Sequence, residues 1–160
     1  MILSDLSRRE EALGLAEEAL ALRRELAAAN PQAFTSDIAT SLNQLASILS
    51  GLGRREEALG LAEEALALRR ELAAANPQAF TSDLAMSLGT LCRMRTEAGL
   101  WASALEANTE AIELFAGLAE ALPELFGAYL RMVLEDRVTV LAVSGDRPGE
   151  LEDLKRFLKT

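Results

Sequence analysis

Few side chains in this sequence have the chemistry that catalysis needs. It holds one cysteine, Cys92, and no histidine. A thiol attacks only as the thiolate, which needs a neighbouring base or cation to form at neutral pH. Cys92 falls at a position otherwise filled by small core residues, so packing is its expected role. The carboxylate pairs Glu10-Glu11 and Glu17-Glu18, with their copies Glu56-Glu57 and Glu63-Glu64, have the right atoms for a metal. Their spacing is wrong. Adjacent residues on a helix point in different directions, and seven residues make two full turns, too far for side chains of this length to share an ion. They read as a solvated helix face. Gly51-Leu52-Gly53 before Arg54-Arg55 resembles part of a phosphate loop, but a third glycine is absent and the preceding segment is helical rather than a strand. Gly145–Gly149 fails in the same way. The pairs Arg23-Arg24 and Arg69-Arg70 are flanked by glutamates and read as ordinary surface charge. Nothing here assembles a catalytic site, a metal site or a cofactor site, and an enzyme is not expected.

Composition narrows the remaining classes. The balance is 16 basic against 25 acidic residues, a net charge of −9, and aromatics make up 4% of the chain. Nucleic-acid binding draws on clustered Lys and Arg that displace counterions, so an acidic chain with few stacking rings is a poor candidate. A single cysteine excludes an internal disulfide scaffold. No apolar run approaches the ~18 residues of a membrane span. The first residues lack the basic and apolar blocks of a signal peptide, so a cytoplasmic location is expected.

The elements that position any functional residue come from a repeat. Arg8–Asp37 recurs letter for letter as Arg54–Asp83, a shift of 46 residues. The register continues in weaker form: Gly53, Gly99 and Gly145 share it, as do Pro31, Pro77 and Pro123, and Phe34, Phe80 and Phe126. Such a period marks a stacked array of supersecondary units. Ser36–Leu52 sets Ile38, Leu42, Leu45, Ile48, Leu49 and Leu52 at three/four spacing, one helix; Arg54–Ala75 makes a second amphipathic helix. Gly53 supplies the freedom for a tight connection and Asn76-Pro77 ends the second helix. Thr81, Ser82 and Asp83 are candidate caps for the next, and Ser7 with Glu10 has capping-box spacing. Small residues recur where helices must cross closely: Ala46, Cys92 and Val138 share one place, Ala58 and Ala104 another, Ala65 and Ala111 a third.

The third unit departs from the other two. Trp101 stands where Arg55 stood, Asn108 where Ala62 stood, and Phe115 where Arg69 stood. Asn108 is a candidate buried polar contact, with a local bond to backbone as its expected use. Trp101 and Phe115 are candidate interface anchors, since interface hot spots are enriched in aromatics, with core filling as the alternative. In the tail, Asp146 is a candidate cap, Pro148 suits a first helical turn, and Leu151, Leu154, Phe157 and Leu158 form a narrow stripe on a charged helix. That is the pattern of a terminal capping helix. The expected organisation is one repeat domain over 1–160: a partial repeat 1–7, units of about 8–53, 54–99 and 100–145, and a capping helix of about 147–159.

These features resemble the tetratricopeptide repeat family, and within it the long-helix branch best known from kinesin light chain. The resemblance is carried by Leu42–Phe80, with Leu42-Asn43-Gln44-Leu45-Ala46 similar to the family's first-helix motif and Gly53, Ala58, Ala65 and Pro77 at its packing landmarks. It implies an all-α, right-handed α-solenoid of antiparallel helix pairs. It implies a non-enzymatic protein-interaction scaffold, part of a larger signalling protein, that holds a peptide or a partner helix in a concave groove. The groove residues carried over are Asn43, Gln44 and Ser47, then Gly89, Thr90 and Arg93, then Glu135, Asp136 and Thr139. Asn43 keeps the family's backbone-gripping amide; Gly89 and Glu135 depart from it. The chain opens inside a repeat, which leaves Leu13, Leu20 and their apolar neighbours on the first long helix without a full mate. Self-association, as a homodimer or a domain swap of a natural or engineered repeat module, is therefore the alternative expectation.

Overall fold

A computed structural model describes residues 2–159, which form seven helices and no strand. They are α1 (Ile2–Ala29), α2 (Pro31–Gly51), α3 (Arg55–Ala75), α4 (Pro77–Glu97), α5 (Trp101–Ala121), α6 (Pro123–Ser144) and α7 (Pro148–Phe157). The side chains of residues 1–6 and of Gln32 lie outside the description, and with them the expected match of Ile2, Leu3 and Leu6 to Ile48, Leu49 and Leu52.

Two kinds of junction alternate, each written in the repeat. At the first, Asn30 or Asn76 leaves the helical region at φ −147° or −145°, and proline begins the next helix at once. One asparagine therefore does two jobs. It ends one helix because proline crowds the residue before it, and it caps the next: the Asn30 and Asn76 side-chain oxygens accept from the backbone N–H of Ala33 and Ala79 at 3.4 and 3.2 Å. Thr81, Ser82 and Asp83 consequently lie inside α4 rather than at its cap, because an asparagine followed by proline at the first helical position wins over a polar residue a turn later. At the second kind of junction Gly53, Gly99 and Gly145 adopt φ of +80°, +74° and +69°. After Gly53 and Gly99 the chain closes back on itself, with Arg54 N–H donating to Leu49 O and Leu100 N–H to Arg95 O.

The same register accounts for α1. Its counterpart of Gly53 is Ser7, for which a left-handed backbone costs ~1 kcal/mol or more. No turn forms there. The helix runs through Ser7 without a break for 28 residues, so Ser7 is no cap. Asp146 is likewise not the cap of α7; that place is taken by Arg147, with Pro148 next as expected.

The chain divides into two compact units, Met1–Phe80 and Thr81–Thr160. In the first, α2 packs on α1 and on α3. Leu42, Ala46, Ala58, Ala62 and Ala65 are buried at these crossings, where an alanine lets two backbones approach. Arg23 of α1 reaches α2, donating to the Ser41 hydroxyl and, at 3.4 Å, to the Asp37 carbonyl. In the second unit α5 packs on α6, and α7 on α6. Leu88, Leu91, Cys92, Ala104, Ala111, Phe115, Val133 and Leu141 form its core. Among the described residues no helix is long and apolar enough to cross a membrane.

Candidate functional site

The groove residues expected from the sequence are placed unevenly. On α2, Gln44 and Ser47 are exposed and Asn43 is half-buried. The Ser47 hydroxyl donates to the Asn43 carbonyl at 3.0 Å and borders a shallow depression with Arg9 and Ala12 of α1. In the second unit the expected residues converge. Arg93 of α4 and Asp136 and Thr139 of α6 line one cleft of about 290 Å³, together with Thr96 and Glu97 and with Cys92 beneath it. Arg93 Nη1 donates to Asp136 Oδ2 at 2.9 Å, and Nη2 to the Thr90 hydroxyl at 3.3 Å. Glu135 and Gly89 do not join them. Glu135 turns to Arg131 on its own helix at 3.2 Å, and Gly89 is buried against Val133. A helix turns by about 100° per residue, so one step along the chain moves a side chain from the cleft to another face.

The electrostatics of the cleft are set by burial. The Asp136 carboxyl is held above its ordinary value because loss of water outweighs the pull of Arg93. Burial, aided by the nearby Asp136 charge, pushes the Cys92 thiol up to about 11. Cys92 is therefore protonated at neutral pH and fills the core, as its small-residue register implied.

Phe115 and Trp101 part company. Trp101 opens α5 and is 39% exposed, whereas Phe115 is fully buried. Phe115 is core, not an anchor: its ring stacks on Tyr129 of α6 with centroids 5.6 Å apart and planes within 9°. The repeat explains the exchange. Phe115 and Tyr129 occupy the register of Arg23 and Asp37, where Arg23 donates to the Asp37 backbone carbonyl, so an arginine-to-backbone bond between two helices gives way to a ring stack.

Sequence reasoning missed a second polar cluster, joining α5, α6 and α7. Asn108 is fully buried and donates Nδ2–H to the carbonyl of Val133 at 2.8 Å, across to α6 rather than locally. Arg137 donates to Glu150 at 2.5 Å, to the Thr109 hydroxyl at 3.0 Å and to Asn108 Oδ1 at 3.4 Å. A signal was present: Asn108 replaces Ala62 in the same repeat in which Arg137 replaces Leu91. The Arg137 hydrogen bond holds the Glu150 carboxyl below its ordinary value of 4.5. A depressed carboxylate stabilises the fold above its unfolded-state value and ceases to do so as pH falls through the folded value. Docking of α7 is accordingly expected to loosen below about pH 4.5 in amide exchange, and Glu150→Gln to remove that acid dependence.

With helix pairs, turns and cleft in place, comparison with known families gives one finding. A family model described as the tetratricopeptide repeat matches residues 1–31 and 38–77. Over those residues the chain is built of tetratricopeptide repeats. The match spans α1 and α3 and most of α2, where the duplicated sequence lies, and stops before the divergent third repeat. No curated protein matches the chain. Tetratricopeptide repeats are non-enzymatic helical scaffolds that generally mediate protein–protein interaction.

Proposed function

We propose that this tetratricopeptide repeat chain is a cytoplasmic, non-enzymatic scaffold that binds an extended peptide or a partner helix, as part of a larger signalling assembly. The observation that carries this reading is the cleft between α4 and α6, where Arg93, Asp136 and Thr139 meet. Arg93 offers more donors than its partners consume: the guanidinium has five N–H groups, and one each goes to Asp136 and Thr90. Its side chain is 42% exposed, so a ligand carboxylate or carbonyl can reach the remainder. Thr139 is exposed; its hydroxyl donates to the Glu135 carbonyl and keeps its lone pairs for a ligand N–H. Gln44 and Ser47 on α2 supply polar contacts of the same kind in the first unit.

The ion pair already in the cleft gives the reading its test. Asp136 resists ionisation here, so replacing it with a neutral isostere relieves a desolvated charge and frees Arg93. Selection of peptides from a displayed library is expected to yield acidic or C-terminal ligands. Arg93→Glu should weaken them about tenfold, roughly the 1.4 kcal/mol of one charge-assisted bond, while Asp136→Asn should hold or tighten them. Ligands equally tight to wild type and Arg93→Glu would show that this cleft is not the binding site.

A further inference from the structure

The duplicated sequence gives this molecule an internal control. The same residues lie on α1 and on α3, in one unit, and their surroundings differ. Leu15, Leu22 and Leu26 on α1 are 62%, 60% and 51% exposed, and Ala19 between them is exposed as well. Their counterparts Leu61, Leu68 and Leu72 on α3 are only half-buried or better, and Ala65, the counterpart of Ala19, is 0% exposed. At spacings of four, three and four residues the α1 set forms one continuous stripe.

The helix that carries the α3 copy of this stripe has a packing partner in α2. α2 folds back on α3 through the Gly53 turn and packs along it. Leu45 and Leu49 of α2 line one depression with Leu61, which Leu20 and Ala21 of α1 also border, and on the neighbouring face Arg69 donates to Ser36 and Thr40 of α2. We infer that the outer face of α1, formed by Leu15, Ala19, Leu22 and Leu26, is a docking site for an amphipathic helix carrying the leucine and alanine pattern of α2. A surface of identical sequence, on a helix of the same kind, already accepts that pattern a few residues' width away. Complementarity therefore does not have to be assumed. The small Ala19 gives an incoming helix the close approach that Ala65 gives α2. Glu11, Glu18 and Glu25 run along one flank of the stripe, are exposed, and form no ion pair among the described residues. Their α3 counterparts include Glu64, which takes Arg24 of α1 at 2.6 Å.

The experiment uses the chain's own helix as the probe. A fluorescent peptide of residues 30–52, keeping the asparagine cap, is titrated into the full chain. Short helices are marginal alone in water, so the peptide gains helix as it docks. Saturable one-to-one binding is expected, weakened on the order of 30-fold by Leu22→Glu, a loss typical of a buried hot spot. Leu22 is exposed, so this variant should keep its helical spectrum. A dye placed at Ala19→Cys should also respond to the peptide, and labelling there is selective because Cys92 is buried and protonated. No binding to wild type, or binding that ignores Leu22→Glu, would overturn the inference. So would sedimentation showing that α1 faces pair between two copies and that the peptide does not compete.

Discussion

Phe115→Ala is expected to lower the unfolding free energy by about 3–5 kcal/mol, the range for removing a fully buried aromatic. Phe115 is 0% exposed, so the lost ring leaves a cavity as well as forfeiting its transfer free energy. The neighbour on its face is Tyr129, itself 40% exposed and tilted against Phe126 at 6.4 Å. Because Tyr129 sits at the surface, its ring can sink partway into the space, which argues for the lower half of the range. Domains are stable by only ~5–15 kcal/mol, so this one change removes a large share of the total. Phe115→Leu should cost less than half as much, since it keeps most of the volume. Trp101→Ala, at a half-open helix start, should cost under ~1 kcal/mol. Urea unfolding of the three variants measures the order. Equal losses for Phe115→Ala and Trp101→Ala would mean that the Phe115–Tyr129 stack is not part of the core.

The helix pairs were legible because each junction is spelled out by residues with strong backbone preferences. Proline opening a helix, after asparagine in two repeats and Leu122 in the third, and glycine at a left-handed turn recur every 46 residues and leave the chain few alternatives. The places where local signals misled share a cause. Ser7, Thr81 and Asp146 are polar residues of the sort that cap helices, but a cap forms only where the backbone leaves the helix. Ser7 has no glycine to open a turn, and Thr81 follows a proline that has already begun α4. The cleft was legible in part. The family resemblance put Arg93, Asp136 and Thr139 in a groove, and they border one cleft between α4 and α6; Glu135 and Gly89, a single step of helical rotation away, turn to other faces. Phe115 was ambiguous because an aromatic replacing an arginine reads equally as an anchor or as core until its partner on the next helix is known.

The second large effect concerns a reversion that should do harm. Asn108→Ala restores the residue that both other repeats carry, Ala16 and Ala62. In an isolated helix alanine is the better choice by a few tenths of a kcal/mol. Here it removes a buried hydrogen bond of 2.8 Å to Val133 and one acceptor of Arg137, and leaves a small void. A lost bond of ~1 kcal/mol and the cavity together predict a net loss of about 2 kcal/mol. Arg137→Leu, the matching reversion to Leu45 and Leu91, should also destabilise, because it removes the arginine donor of Thr109 and leaves Glu150 only Arg147 at 3.4 Å. Made together, the two changes restore the apolar residues that the other repeats carry at these positions, and leucine can fill the volume that Asn108→Ala opens. The double variant should therefore lose less than the sum of the singles, with a coupling of about 1–2 kcal/mol, within the range for residues in contact. Additive losses in a denaturation cycle would show that the two replacements arose independently. A clear coupling would show that the third repeat exchanged two apolar residues for a polar pair as a unit, which is how Arg137 comes to hold Glu150 and with it α7.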